Sequence, residues 1–316
     1  MKFGIFADVH ARLDNPSCRT DFFPRAILAK LDAMGDIWKR EQVDVVLNLG
    51  DTTHIPSPSL SLVHDLSRVF RDWQLPIITI TGSHDVHGYQ SQTLRRTAVG
   101  VLEKAGILYI IGATGFPPYV DMTESIRIYG TSHTPFLTDS PDNFAVHDEE
   151  HDSRFIIHMV HGDLLDKPVP WPHVLISQVK TDAHYILAGH YHPGWPHPKD
   201  VTVGHTFFNP GSVGRIERGH FRIPRVAILD ISGMKSSLSC IIIPSVENPF
   251  GDKDEMPKEE VMVDVTRFLS ILDQAQVDVV DVKGKIPILG KELGLSEEII
   301  DKTIQILEEL NEHASQ

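Results

Sequence analysis

Five short apolar runs in this chain each lead into an aspartate or histidine, and glycine stands in four of these endings. Phe3–Ala7 ends in Asp8-Val9-His10, and Val43–Leu49 ends in Gly50-Asp51-Thr52-Thr53-His54. Ile77–Ile80 leads to Gly82-Ser83-His84-Asp85. Phe155–Val160 ends in His161-Gly162-Asp163, and Tyr185–Ala188 ends in Gly189-His190-Tyr191-His192. Runs of four to seven residues rich in Val, Ile and Phe read as buried strands. Loops at the carboxyl ends of strands in α/β sheets gather at one edge, so five such endings can converge on one pocket. Within Asp8-Val9-His10 and His190-Tyr191-His192, residues i and i+2 of an extended segment point the same way and can reach one cluster. The glycines permit sharp turns and close backbone approach. The alternative is that these are ordinary solvated or core histidines that happen to follow strands. One such ending would fit that reading; five in this order do not.

The segments between these runs support an α/β fold. Ile27, Leu31, Met34 and Trp38 share one helical face, with Pro24 near the start where a helix tolerates it. Leu62, Leu66 and Val69 predict a second helix before Ile77, giving a βαβα beginning. Thr206–Phe208 reads as a further strand, and Arg225–Ile231 with Ser237–Pro244 as a hairpin. From Pro244 to Glu260 the composition shifts to Pro, Gly, Asn and charge, so the predicted organisation is a main domain at 1–243, a linker at 244–260 and a helical region at 261–316. In the last region Ile300, Ile304 and Leu307 share a face behind an N-cap at Ser296. Leu289–Ser296 followed by a helix has the outline of a helix-turn-helix. However, residues 258–316 hold six Lys/Arg against thirteen Asp/Glu, which opposes DNA binding and favours a partner-docking or capping segment.

Composition excludes several classes. A chain of 316 residues, 41% hydrophobic and 23% charged, buries a large core. Its longest uncharged stretches carry too many polar residues, Pro and Gly to span a bilayer, and its start runs straight into a strand without a signal-peptide pattern. Cys18 and Cys240 give neither a disulfide framework nor a thiolate metal site, which suits a reducing, cytoplasmic setting. The net charge of −14 rules out a generally basic nucleic-acid coat protein, but not a nuclease with metal-borne positive charge. Eighteen histidines point metal chemistry toward imidazole and carboxylate ligands.

The ordered motifs resemble those of the calcineurin-like metallophosphoesterases, whose pattern is D-x-H, G-D, G-N-H-D/E, H and G-H-x-H. The match covers roughly residues 1–240. The resemblance implies a four-layer α-β-β-α sandwich with a dinuclear centre at one sheet edge. By position, Asp8, His10, Asp51 and His192 would hold one divalent ion, and Asp51, Ser83, His161 and His190 the other, with Asp51 bridging. Mixed imidazole–carboxylate ligation suits Mn, Fe, Zn or Ni, and two Mn2+ ions are expected. Position 83 departs from the pattern: the family has Asn, and the Ser83 hydroxyl is a shorter, poorer donor. His84 would contact the phosphate and protonate the leaving oxygen, since imidazole titrates near neutral pH. His54 would orient His84 or the substrate. His64, His87 and His133 read as surface or supporting histidines, and Asp163 as a turn or supporting carboxylate.

Within the family, Gly50-Asp51-x-x-His54, Leu175-Ile176-Ser177 and Asn209–Arg215 are similar to SbcD-type DNA exo/endonuclease subunits. That resemblance implies DNA as partner, a homodimer and a coiled-coil ATPase of the SbcC kind. Arg12, Arg19 and Arg25 after the first ligand pair, and Arg215, Arg218, Arg222 and Arg225 after the last, are candidates for phosphate contacts. Tyr89, Tyr191 and Trp195 are candidates for base stacking, with ordinary packing as the alternative. The rival functions are a small-substrate nucleotide phosphodiesterase and a catalytically weak scaffold that binds metal poorly through Ser83.

Overall fold

The computed structural model describes residues 1–148, 154–202, 204–218, 223–233, 235–245 and 249–250. The expected helical region at 261–316, most of the expected linker at 244–260, and Arg222 lie outside the described residues.

In chain order the strands and α-helices are β1 (Lys2–Phe6), α1 (Phe23–Glu41), β2 (Val45–Asn48), α2 (Leu60–Asp72), β3 (Ile77–Thr79), α3 (Ala98–Lys104) and β4 (Tyr109–Ile110). There follow β5 (Tyr119–Thr123), β6 (Ile126–Thr131), β7 (Phe155–His161), β8 (Leu164–Leu165), β9 (Val174–Leu175) and β10 (Tyr185–Gly189). The last are β11 (Lys199–Thr202), β12 (His205–Phe208), β13 (Arg225–Ser232) and β14 (Lys235–Ile242). One sheet runs β14-β13-β1-β2-β3-β4 and the other β11-β12-β10-β7-β6-β5, with β8 and β9 forming a separate pair. β1 through β4 are parallel neighbours in the first sheet, as are β6, β7, β10 and β12 in the second.

Period-2 alternation divides each strand between two cores. Phe3, Ile5, Leu47 and Ile78 of the first sheet meet Ile128, Ile157, Met159, Leu187 and Phe208 of the second in the inter-sheet core. The other face of the first sheet packs against the helices through Phe6 and Val46 with Ile27, Leu31, Met34, Trp38, Leu62, Leu66 and Val69. These are the helical stripes expected from the sequence. Pro24 sits in the first turn of α1, and the Ser59 and Thr97 hydroxyls cap α2 and α3. The cover on the second sheet's outer face is thinner. Among the described residues it is made of 3-10 turns and loops carrying Leu137, Phe144, Ile176 and Trp195.

This mixed α/β sandwich is the expected fold class. The six strands named from the sequence are present with ends shifted by one or two residues. The hairpin is tighter than expected, because Ser232 already pairs with Lys235. Among the described residues, no helix is long and apolar enough to cross a membrane.

Candidate metal centre

The carboxyl ends of β1, β2 and β3 in one sheet and of β7 and β10 in the other deliver their loops to the same place. Three backbone contacts interlock the first two loops: the Asp8, His10 and Ala11 amides donate to the carbonyls of Gly50, Asp51 and Thr52 at 3.1, 2.9 and 3.1 Å. The two sheets are tied at this edge by His161, whose Nδ1–H donates to the Leu49 carbonyl at 2.6 Å across 112 residues of sequence. Asp85, next to His84 in sequence, clamps two loops. One of its oxygens accepts from the Thr52 and Thr53 amides at 2.9 and 3.2 Å, and the other from Gly82 at 2.9 Å.

Four of the side chains brought together stand on left-handed backbone: Asp8, His10, Asp51 and His190 have φ of 54°, 48°, 53° and 81°. Non-glycine residues rarely adopt this region, and each instance costs on the order of 1–3 kcal/mol. The surroundings hold them there. The Val213 and Gly214 amides donate to the Ala7 and Asp8 carbonyls at 3.1 Å each, and the Ser212 hydroxyl donates to the Asp8 carbonyl at 2.8 Å. The His190 amide donates to both Asp8 carboxylate oxygens at 3.1 Å. Two glycines make room: a Cβ at Gly82 would collide with the Asp51 carboxylate, and one at Gly50 with the His161 ring.

The donor atoms fall into adjoining groups that share Asp51. Asp8, His10, Asp51 and His192 offer ligand atoms within 4.8 Å of one another, and so do Asp51, His161 and His190. In the first group the His10 and His192 Nε2 atoms face each other at 2.8 Å, with His10 Nε2 3.6 Å from Asp51 Oδ2 and His192 Nε2 3.8 Å from Asp8 Oδ1. In the second, His161 Nε2 lies 3.3 Å from Asp51 Oδ2 and 3.3 Å from His190 Nδ1. With His161 Nδ1–H given to Leu49, its Nε2 is the atom that faces a carboxylate oxygen and another imidazole. Such an array could hold a cation between its members. Ligand bonds of about 2.0–2.2 Å span these separations, so the residues fit a first-row divalent ion in each group.

Electrostatics says the same. Burial drives Asp8 up to about 7 against the pull of His161, while His10 is lowered well below its ordinary value by burial. Burial also works to raise Asp51, yet His161, His10 and His84 hold it well below the usual carboxylate range. Burial works against charge on His161, but Asp51 and Asp8 hold it up to about 9. The site thus draws positive charge to the centre around Asp51.

The remaining predicted residues take distinct places. Ser83 Oγ lies 3.4 Å from Asp51 Oδ2 and is spent on that carboxylate. The His84 amide donates to Asp51 Oδ1 at 2.8 Å, and its ring Nδ1–H donates to the His54 carbonyl at 2.7 Å. His54, lowered to about 3 by burial, lies over the His84 ring. His64 pairs with Asp65 on the surface, and His87 with Ser57. His133 is closer to the chemistry than its sequence position suggested, with its ring 5.2 Å from His190 and 6.0 Å from His161. Asp163 Oδ2 lies 3.4 Å from His190 Nε2, a supporting contact on the nitrogen opposite the one that faces His161.

Several candidates for substrate contact are turned to other tasks. Arg215 is only 5% exposed and lies over Phe250, and Arg19, 6% exposed, grips Asp21 and the Gly214 and Arg215 carbonyls. Arg225 donates to the carbonyls of Trp195, Pro196 and Pro210. Arg12 stays near the rim, paired with Asp14. Trp195 is buried in the core of the second sheet and not placed for stacking. Ser212 and Trp171 were missed. The first lies inside the Asn209–Arg215 motif, but its bond to the Asp8 carbonyl joins groups distant in sequence, and the second lies in a proline-rich stretch that no motif covers.

A β-sandwich with carboxylates and histidines gathered at the strand ends of both sheets is the architecture of a metal-dependent phosphoesterase. The chain belongs to the calcineurin-like phosphoesterase superfamily, whose domain model matches residues 1–234. Among solved structures it is similar to a dimetal phosphatase from Danio rerio, at 13% identity and a TM-score of 0.51 over 78% of this chain and 99% of that one. It also resembles a protein described as a 5'-nucleotidase from Staphylococcus aureus, at 15% identity, a TM-score of 0.46 and coverage of 82% of this chain and 56% of that one. A 5'-nucleotidase precursor from Thermus thermophilus matches at 12% identity and a TM-score of 0.43, over 86% of this chain and 59% of that one. No curated protein matches the chain.

Proposed function

We propose that this chain is a divalent-metal-dependent phosphodiesterase acting on nucleotidyl phosphodiesters, in its specific form an SbcD-type DNA exo/endonuclease subunit. The observation that carries the reading is Asp51, whose carboxylate belongs to both donor groups and whose oxygen also holds the His84 amide. Bound in the two groups, divalent ions, Mn2+ in our reading, supply positive charge to the phosphoryl oxygens and acidify a water. The chain's own residues do the rest. The proton of His84 Nδ1 is committed to the His54 carbonyl, so Nε2 is the atom that can give a proton to the leaving oxygen. His54, uncharged through burial, keeps the His84 ring in plane. Gly50-Asp51-x-x-His54 supports the nuclease form, in which a homodimer, an SbcC-type ATPase partner and a cytoplasmic setting are part of the proposal.

A second reading, a phosphodiesterase for nucleotide-sized substrates, is favoured by one observation: Arg19 and Arg215, candidates for gripping a DNA backbone, are buried. The readings separate on end-labelled linear duplex DNA and bis(p-nitrophenyl) phosphate, each with Mn2+ or EDTA. Mn2+-dependent release from DNA supports the nuclease. Hydrolysis of the small diester alone supports the second reading, and inertness to both supports a scaffold.

A further inference from the structure

The segment between β8 and β9 presents an aromatic ring that the described chemistry leaves unused. The Leu164–Val174 and Leu165–Leu175 pairs close this loop at its base, and the Val174 amide donates to the Asp163 carbonyl at 2.9 Å. Lys199 Nζ holds Asp166 from outside at 3.2 Å. Between these anchors the sequence reads Lys167-Pro168-Val169-Pro170-Trp171-Pro172-His173. Alternate prolines fix their own φ and restrict each residue before them, Trp171 included, to extended backbone. At the tip, Trp171 is 46% exposed, yet its indole Nε1–H donates to Asp163 Oδ1 at 3.2 Å. The other oxygen of Asp163 faces His190.

A large ring left in water is costly unless something covers it, and here it is held still at two contacts from a metal-type ligand. Rigid, pre-placed aromatic surface is what a ligand with a flat π-face binds at little entropic cost. We infer that Trp171 is the platform on which the base of a nucleotidyl substrate stacks while its phosphate lies at the Asp51-centred cluster. This rests on the phosphodiesterase reading and makes the nucleoside moiety, and not the phosphate alone, part of what the site selects.

Two esters with the same leaving group test it: thymidine 5'-(p-nitrophenyl phosphate) and methyl p-nitrophenyl phosphate, assayed with Mn2+ on the full chain. Trp171→Ala is expected to lower the preference for the thymidine ester, the ratio of the two kcat/KM values, by about tenfold, as for loss of one base–aromatic stack. Trp171→Phe, which keeps a ring but cannot donate to Asp163, is expected to retain most of the preference. If both substitutions lower both esters in parallel, Trp171 only props Asp163 and the inference is overturned. A binding readout stands apart from turnover. The other three tryptophans, Trp38, Trp73 and Trp195, are 1%, 8% and 1% exposed, so accessible indole fluorescence comes from Trp171. Thymidine 5'-monophosphate should quench it and inorganic phosphate should not; equal response to both overturns the stack. If the wild type hydrolyses neither ester, the phosphodiesterase reading fails, and the quenching experiment alone decides the platform.

Discussion

His54 lies nearly flat against His84, with ring centroids 5.1 Å apart and planes inclined by 22°, while its backbone carbonyl accepts the His84 Nδ1 proton at 2.7 Å. One residue therefore restrains the other twice, through its ring and through its main chain. Only the first restraint is lost when the side chain is removed.

That difference separates the two histidines in kinetics. His84→Ala should lower kcat by about 10²–10⁴-fold, as for loss of a general acid, with metal content retained. His54→Ala leaves the carbonyl in place and should cost only about tenfold. Steady-state rates with bound metal measured by mass spectrometry check both; equal losses would mean that His54 itself donates the proton.

Asp51 offers oxygen to both donor groups, so its loss is not confined to one of them. Asp51→Asn should reduce bound Mn2+ from about two equivalents to below one, whereas His192→Ala, which touches one group, should leave about one. Equilibrium dialysis measures the stoichiometry. Independent loss of single equivalents in both variants would remove Asp51 from its shared position.

Ser83 Oγ now rests against Asp51 Oδ2 at 3.4 Å. An amide oxygen at this position reaches further, so Ser83→Asn should tighten the weaker metal equivalent by about tenfold. Calorimetric titration of the metal-free protein reads this directly. Unchanged affinity would show that another donor already serves that ion.

Lys30 is buried, 3% exposed, with Nζ donating to the Val213 carbonyl at 2.7 Å. Burial, with Arg19 and Arg215 adding to it, lowers the ammonium to about 7 from an ordinary value of 10.5. Between those two pH values the unfolded chain binds the proton and the native state has released it. Stability therefore rises with pH across this window, by at most about 1.4 kcal/mol per pH unit from this group. Below pH 7 both states hold the proton and the native state carries the full penalty. Urea unfolding in EDTA at pH 7.5 and 9.5 should show the rise in the wild type and a smaller one in Lys30→Met.

The parts of this protein legible in the sequence are those whose signal is local. Runs such as Phe3–Ala7 and Val43–Leu49 declare buried strands by composition, and the stripe Ile27, Leu31, Met34, Trp38 declares the buried face of α1. Their ends carry Asp8, His10, Asp51, His161, His190 and His192, and a shared sheet edge is enough to bring these together. β5 and β6 escaped because their burial is partial: no residue of β5 is fully buried, and β6 is buried only at Ile126–Ile128. Arginine destinations also escaped, since Arg19 and Arg215 are placed by carbonyls and rings distant in sequence. Trp195, offered as a stacking ring by its proximity to a motif, is buried, whereas Trp171, which no motif covers, is 46% exposed.

The bond from the Ser212 hydroxyl to the Asp8 carbonyl joins groups 204 residues apart and gives the centre a date of birth. At synthesis rates of about 5–20 residues per second, Asp8 waits roughly 10–40 seconds on the ribosome for the segment that steadies it. Asp51 waits about two thirds as long for His190 and His192. Until then the early loops are an unfinished half, with acids and imidazoles but no enclosed cluster. The cluster is therefore completed only as the last strands of the sandwich close.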